Sequence, residues 1–222
     1  MTLRAVLWDL DGTLLDRDTS VRRFAAEQYE RRLSRSGVPK EQYIERLTTL
    51  DGNGYTSKDE LFERITQEYP LGDVSVDTLV EEFWERFPAL TVVYPGCQDL
   101  LADLRRQGLA LGLITNGTQR SQASKIEAAG LGAFFDTILI SQVEGVSKPA
   151  PAIFLRALDR LGVAAHEAVF IGDNPVADIM GGHRVGMATI WRRNAWWDPP
   201  EEVDGVIRDL AEIPQMLRQL GR

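Results

Sequence analysis

The sequence is poor in the residues that form disulfides and zinc sites. Its 222 residues include one cysteine, Cys97, and two histidines. A single cysteine cannot form an internal disulfide, so we expect a reducing, cytoplasmic location. Protein zinc centres are built mainly from cysteine and histidine, so zinc chemistry is not expected either.

Two further absences narrow the class of protein. The sequence has no apolar run long enough to cross a bilayer and no N-terminal signal pattern, so we expect no membrane partner. Its formal net charge is −8 at pH 7, which argues against a nucleic-acid partner because a phosphate backbone attracts a basic surface.

The hydrophobic fraction of 44% is ordinary for a globular protein. Both a monomer and a homodimer are compatible with this composition.

The most informative feature is a pair of carboxylates behind a short apolar run. Residues 5–8 read as a buried strand, and Asp9 and Asp11 follow it directly, with Gly12 next. Residues two apart in an extended chain lie on the same side, and glycine permits a sharp exit. Asp9 can act as a nucleophile or as a metal ligand. The pair therefore indicates acid–base or phosphoryl chemistry at the end of a strand.

Three further apolar runs end in polar loops. The residues that follow them are Thr115 and Asn116 after residues 109–114, Lys148 after residues 137–140, and Asp173 and Asp178 after residues 168–171. A hydroxyl and an amide before a flexible turn are suited to hold a phosphate, and a lysine supplies the counter-charge. A doubly wound parallel sheet gathers its strand ends along one edge, so we expect all these groups in one crevice.

A purely structural interpretation of each residue stays open at this point. Acids at strand ends occur in turns and in first helical turns, threonine and asparagine cap helices, and lysine is commonly a surface charge. Each residue taken alone is better explained in that way. Four such motifs, each behind an apolar run, together favour the catalytic interpretation.

Between the first motif and the second strand, the strand pattern disappears. From Asp16 to about Val92 the apolar spacing predicts four helices, at residues 21–34, 40–50, 57–69 and 76–87. The turn at residues 51–54 is either a helix connector or a loop that reaches a substrate. Residues 191–197, which contain three tryptophans, are either an interface or lid, or aromatic packing over the sheet edge.

The four motifs, in this order, resemble those of the haloacid dehalogenase (HAD) superfamily, most of whose members are magnesium-dependent phosphatases. The layout is similar to the subgroup of pyrimidine nucleotidases, N-acylneuraminate-9-phosphatase and phosphoglycolate phosphatases. The resemblance implies an α/β fold with a Rossmann-like, doubly wound parallel sheet core at residues 1–15 and 93–222. It also implies an inserted all-helical cap domain at residues 16–92, with the substrate pocket in a cleft.

The resemblance also implies roles for the residues that bind and transfer the phosphoryl group. Asp9 would attack the phosphorus to form an aspartyl-phosphate. Asp11 would protonate the leaving oxygen and then activate water. Thr115 and Lys148 would hold the phosphoryl oxygens, beside Asn116 as a further phosphate-binding residue.

A Mg²⁺ cofactor follows from the same resemblance. Its ligands would be Asp173, the carboxylate of Asp9 and the main-chain carbonyl of Asp11. Asp178 would support a metal-bound water or orient Lys148. Magnesium prefers oxygen ligands and keeps several waters, which suits a site with carboxylates and no imidazole.

The expected activity is hydrolysis of a small phosphorylated metabolite, with a nucleoside 5′-monophosphate or a sugar phosphate favoured. A phosphosugar mutase and a 2-haloacid dehalogenase of the same superfamily are alternatives, as is a non-catalytic phosphate-binding or interaction protein. Asp11 argues against the dehalogenase, because a halide leaving group needs no proton. The presence of both Asp9 and Asp11 argues against the non-catalytic protein.

Overall fold

The computed structural model describes residues 2–221, which divide into two compact units. The first unit joins residues 2–15 to residues 93–221, and the second unit is Asp16–Val92. That the second unit acts as a cap domain stays a prediction. Within residues 2–221, no helix combines the length and the apolar character that a bilayer crossing requires.

A six-stranded sheet forms the centre of the first unit. The strands are β1 (Ala5–Trp8), β2 (Ala110–Thr115), β3 (Thr137–Ile140), β4 (Ala168–Gly172), β5 (Ala188–Arg192) and β6 (Gly205–Ile207). Their order is β3-β2-β1-β4-β5-β6, and every neighbouring pair is parallel. This topology confirms the predicted Rossmann-like α/β class. The sequence pattern does not predict β6, because three residues are too few to show a period.

Helices cover both faces of the sheet, which explains why its strands are mostly apolar. The helices of this unit are α5 (Cys97–Arg106), α6 (Gln119–Ala128), α7 (Ser141–Glu144), α8 (Pro151–Leu161), α9 (Gly181–Arg184) and α10 (Ile213–Leu220). Successive strand residues point to opposite faces. Val6 and Trp8 therefore pack in the same cluster as Leu101 of α5, whereas Leu7 packs in the cluster that contains Phe154 of α8.

Local capping signals set several helix ends. Helix α8 begins at Pro151, where the first turn needs no N–H donor. Its last residue is Leu161, and Gly162, with φ of 66°, is the C-cap. Asp209 and Glu212 form a capping box, in which Glu212 Oε1 accepts the N–H of Asp209 at 2.8 Å. It opens a short 3₁₀ turn that leads into α10.

The second unit is all-helical. Its helices are α1 (Arg17–Arg32), α2 (Lys40–Asp51), α3 (Lys58–Glu68) and α4 (Val76–Arg86), and they enclose a separate core in which aromatic side chains are prominent. Phe24 and Phe83 pack edge to face with ring centroids 4.9 Å apart. Helix α1 begins four residues before the expected start at residue 21, because Asp16 accepts the N–H of Thr19 at 3.0 Å and caps it there.

Candidate active site

Two carboxylates lie side by side where the strand order reverses at the centre of the sheet. The chain passes from β1 towards β2 on one side, and from β4 towards β5 on the other. Asp9 directly follows β1 and Asp173 directly follows β4. The N–H of Asp9 donates to the carbonyl of Ile171 at 2.9 Å, which continues the pairing of the two strands. A crevice at such a switch point is where open α/β sheets bind ligands.

Three buried carboxylates and one lysine form the centre of the site. One oxygen from each of Asp9, Asp173 and Asp178 lies within 4.8 Å of the other two. The Nζ atom of Lys148 lies 2.6 Å from Asp9 Oδ1 and 2.7 Å from Asp178 Oδ1. All four side chains are buried. With all four groups ionised, negative charge exceeds positive charge by two, so the cluster favours a further cation.

The pKa values of these groups reflect that imbalance. Burial raises the pKa of Asp9 to about 7, with Lys148 opposing the shift and Asp178 adding to it. Burial also raises the pKa of Asp173 well above its usual range, and the charges of Asp9 and Asp178 raise it further. The pKa of Lys148 is raised too, because the neighbouring carboxylates outweigh its loss of solvation. An all-oxygen donor set of this kind fits a hard divalent cation such as Mg²⁺.

The Asn116 side chain supports the loop that carries Lys148. Its Nδ2 donates to the carbonyl of Lys148 and its Oδ1 accepts the N–H of Lys148, both at 2.9 Å. These two hydrogen bonds fix the lysine backbone. Phosphate binding by Asn116 stays a prediction, and it now rests on the main chain, because the side-chain amide is engaged with the loop.

A polar network surrounds the second carboxylate of the first motif. Asp11 Oδ2 is ion-paired with the ammonium group of Lys125 and accepts a hydrogen bond from Gln122 Nε2 at 3.0 Å. The same Nε2 atom lies 2.5 Å from the hydroxyl of Thr115. Gln122 and Lys125 are both buried and lie three residues apart on α6, so they share one helix face. Gln122 therefore links the first two motifs directly.

Gly12 lies directly against the Asp173 carboxylate. Its φ of +80° suits glycine, and a Cβ atom there would overlap Oδ2 of Asp173 and lie 2.8 Å from its Cγ. The carbonyl of Gly12 accepts a hydrogen bond from Arg192 Nη1 at 2.9 Å. Glycine at this position thus allows the first and last motifs to approach each other.

Asp178 is fixed by the turn that follows β4. Its Oδ2 accepts the N–H of Asn174 at 3.0 Å, while Asn174 Oδ1 accepts the N–H groups of Val176 and Ala177. Asn174 is therefore a helix-capping residue. Asp178 Oδ1 lies 2.7 Å from Lys148 Nζ, and the orienting role of Asp178 stays a prediction.

Residues 191–197 reach the last motif. The indole N–H of Trp191 donates to the main-chain carbonyl of Asp173 at 2.6 Å, and Asn194 Nδ2 donates to Asp173 Oδ2 at 2.7 Å. Trp191 is buried at the end of β5, which agrees with aromatic packing at that position, whereas Trp196 is exposed.

In the second unit, the turn at residues 51–54 contains a buried ion cluster. Asp51 accepts two hydrogen bonds from Arg17 Nη2, at 2.8 and 3.0 Å, and lies 2.5 Å from Lys58 Nζ. All three side chains are buried. Gly54 follows with φ of +87°, and a Cβ atom there would lie 2.8 Å from Cζ of Arg17.

Among the residues whose side chains contact the carboxylates of the motifs, the sequence patterns miss Gln122, Lys125 and Asn194. The first two lie on one face of the helix that follows the second motif, so a search for polar side chains on its buried face could have found them. Asn194 lies in an irregular segment behind β5. No local pattern indicates its contact.

Comparison with similar proteins indicates that this chain is a hydrolase that acts on phosphoric monoesters. A glyceraldehyde 3-phosphate phosphatase of Pyrococcus furiosus is 31% identical over 231 aligned positions, which cover 99% of this chain and 94% of the relative. An N-acylneuraminate-9-phosphatase of Rattus norvegicus is 29% identical and covers 98% and 95%. The HAD-hydrolase YfnB of Bacillus subtilis, bound to magnesium, has a TM-score of 0.72 at 27% identity, covering 98% and 100%.

The family model for haloacid dehalogenase-like hydrolases matches residues 3–186. The chain therefore belongs to the haloacid dehalogenase-like hydrolase family, and the resemblance seen in the four motifs is confirmed.

Proposed function

We propose that this chain is a magnesium-dependent phosphatase that hydrolyses a small phosphorylated metabolite through an aspartyl-phosphate on Asp9. The observation that carries the proposal is the environment of Asp9. Its buried carboxylate lies 2.6 Å from Lys148 Nζ and within 4.8 Å of the carboxylates of Asp173 and Asp178. A nucleophile placed between a cation and an acidic cluster is suited to attack a phosphoryl group.

In the first step, a carboxylate oxygen of Asp9 attacks the phosphorus and the ester P–O bond breaks. Asp11 gives its proton to the leaving oxygen. In the second step, a water attacks the phosphorus while Asp11 accepts the proton of that water. The bond between the phosphorus and Asp9 then breaks, which releases phosphate and restores both carboxyl groups to their starting forms.

The surrounding residues position these groups and offset charge. A carboxylate and a phosphate repel each other, so attack requires positive charge beside the phosphoryl oxygens. Lys148 would supply part of it, and the Thr115 hydroxyl would hold a phosphoryl oxygen. Lys125 and Gln122 orient Asp11 through its Oδ2 atom. These contacts keep the acid–base group in place through both steps.

The donor set fits a magnesium ion held by Asp9, Asp173 and the main-chain carbonyl of Asp11, with Asp178 orienting Lys148. The fit rests on the excess of buried carboxylates over lysine in the described structure. When bound, the ion would supply the remaining positive charge that neutralises the phosphoryl oxygens.

The substrate is proposed to be a sugar phosphate, with a nucleoside 5′-monophosphate as the second class. The names of the two phosphatase relatives support the first class, since glyceraldehyde 3-phosphate is a sugar phosphate and N-acylneuraminate is a sugar acid. Residues 16–92 are proposed to act as the cap that sets this preference, because the residues of the first unit's site serve the phosphoryl group common to all substrates.

Phosphate release from a panel of phosphorylated sugars, sugar acids, amino acids and nucleotides tests this function. We expect release in the presence of Mg²⁺, its loss with a chelator, and its loss in Asp9→Asn. Asp159→Asn, which changes an exposed carboxylate on α8, is the matched control and should behave as the wild type. Full activity in the chelated protein, or rescue by zinc alone, would refute the proposed metal chemistry.

A further inference from the structure

The side chain of Asn194 contacts the Asp173 carboxylate in a fixed orientation. Its Nδ2 donates to Asp173 Oδ2 at 2.7 Å, and its Oδ1 accepts the N–H of Trp196 at 2.9 Å. Because an amide has one donor end and one acceptor end, the contact with Trp196 keeps the donor end turned towards Asp173. The contacts at both ends of the amide therefore fix the orientation of the Asn194 side chain.

Two further contacts limit the movement of Asp173. The indole N–H of Trp191 holds its main-chain carbonyl at 2.6 Å. On the side of Gly12 there is no room for even a Cβ atom beside the carboxylate. Asp173 is therefore held at its main chain and at Oδ2, and Trp197 adds a further side-chain hydrogen bond to its carboxyl group.

Electrostatic repulsion explains why the Asp173 carboxylate requires a hydrogen-bond donor. Asp9 and Asp178 lie close to Asp173, with oxygens within 4.8 Å of one another, and in their ionised forms these carboxylates repel. A carboxylate in that position gains by rotating away unless a donor holds it. Hydrogen bonds to metal-ligating side chains commonly change metal affinity by about 10- to 100-fold.

We propose that Asn194 is a positioning residue that holds Asp173 in the orientation in which it binds the divalent cation. The inference rests on the proposed function, because it assumes that Asp173 is a metal ligand. Asn194 itself touches neither the substrate nor the ion. Its contribution appears in the affinity for Mg²⁺, and the chemical step at saturating Mg²⁺ changes little.

Calorimetric titration with Mg²⁺ in the absence of substrate tests the inference on Asn194→Leu and Asn194→Ala. Both variants lack the donor, and the second keeps the test valid if the larger side chain prevents folding. We expect the Kd for Mg²⁺ to rise by about 10- to 100-fold, with kcat at saturating Mg²⁺ within a few-fold of the wild type. Arg193→Ala, an exposed neighbour in the same segment, is the control and should leave the Kd unchanged.

Asp173→Ala separates failure of this inference from failure of the proposed function. If Asp173→Ala still binds Mg²⁺ as the wild type does, the metal site itself is wrong. If Asp173→Ala loses binding while both Asn194 variants keep the wild-type Kd, the inference alone is overturned. A loss of stability in the Asn194 variants without a change in the Kd for Mg²⁺ would also overturn the inference alone, because a purely structural role of Asn194 predicts that outcome.

Discussion

The two units of the molecule each contain a buried ion cluster, and the two clusters have opposite charge balance. In the first unit, three carboxylates share one lysine, Lys148. In the second unit, one carboxylate, Asp51, contacts two cations, Arg17 and Lys58. The pKa of Asp9 is raised to about 7, chiefly by burial. Burial acts on Asp51 in the same direction, but the two cations outweigh it and lower its pKa.

The difference shows that burial alone does not identify a catalytic carboxylate. Both Asp9 and Asp51 are buried, and both are ion-paired. Asp51 has its counter-charges within its own unit, so its cluster does not favour a further cation. The carboxylates around Asp9 lack enough counter-charge, so their cluster is suited to bind a cation and to react.

Removal of the charge at Asp9 gives the largest expected effect. Asp9→Asn should lower kcat by at least about 1,000-fold, because an amide is a poor nucleophile. In the Mg²⁺-free protein near pH 8 the same change should raise the free energy of unfolding, since it removes a buried charge whose pKa is raised from 3.8 to about 7 by folding. Steady-state phosphate release and denaturant unfolding measure the two effects. Near wild-type turnover would exclude Asp9 as the nucleophile.

The corresponding change in the second unit should have the opposite effect on stability. Asp51→Asn leaves Arg17 and Lys58 buried beside a neutral group, so the free energy of unfolding should fall by about 3–5 kcal/mol. Denaturant unfolding measures the loss. Asp59→Asn, an exposed acid in the first turn of α3, should cost less than about 1 kcal/mol. If the two variants are equally stable, the contrast between the two clusters is wrong.

Proton competition at Asp9 should make Mg²⁺ binding pH-dependent. The pKa of its carboxyl group is 3.8 without perturbation and about 7 in the folded, metal-free protein. Between these values the folded state binds more protons than the unfolded state, so the stability of the metal-free protein falls as pH rises. Mg²⁺ must displace that proton, so loss of this one proton should raise the affinity by about tenfold per pH unit as the pH rises towards the pKa of Asp9.

Calorimetric Mg²⁺ titrations at several pH values test this dependence. Asp9→Asn has no proton to displace at this position and should show a flatter profile, although Asp173, whose pKa is also raised, still contributes. An affinity that falls with rising pH would contradict the assigned direction of the pKa shifts.

A change at Gly54 should have the smallest effect on the phosphatase reaction. Gly54→Val places a side chain against the Arg17 guanidinium. Gly37 has a φ of +80°, similar to the +87° of Gly54, but a Cβ atom added at Gly37 meets no other atom within 4 Å. Both variants carry backbone strain of about 1–3 kcal/mol. We expect Gly54→Val alone to change the ratio of kcat/KM values among phosphorylated metabolites, by up to about tenfold. Lys148→Ala should instead lower kcat/KM for all substrates to a similar degree.

Substrate panels for Gly54→Val, Gly37→Val and the wild type provide the measurement. If Gly54→Val lowers kcat/KM equally for every substrate, the turn at residues 51–54 does not recognise the leaving group. The Arg17–Asp51 contact then has a structural role only.

The sequence predicts most of the groups at the strand ends, because their signal is local. Asp9 and Asp173 each directly follow an apolar run, and parallel strands bring such positions together. Lys125 could not be predicted in the same way, since it is 114 residues from Asp11 and its contact depends on how α6 packs. The engagement of the Asn116 side chain with the backbone of Lys148 also depends on tertiary structure.

The charge balance of the two clusters is likewise not visible in the sequence. Asp51 lies in a glycine-containing turn, which a local pattern describes as a flexible connector. Its pairing with Arg17 joins residues 34 positions apart. Only the folded structure shows which buried acid has its counter-charge and which lacks one.

In the proposed reaction, Asp9 carries the phosphoryl group during turnover. Mass spectrometry of the protein, after acid quenching during turnover of its best substrate with Mg²⁺, detects that intermediate. We expect the added mass of one phosphoryl group on the peptide that contains Asp9, and no such mass in Asp9→Asn. Turnover without any phosphorylated peptide, or with the phosphoryl group on another residue, would contradict the proposed reaction.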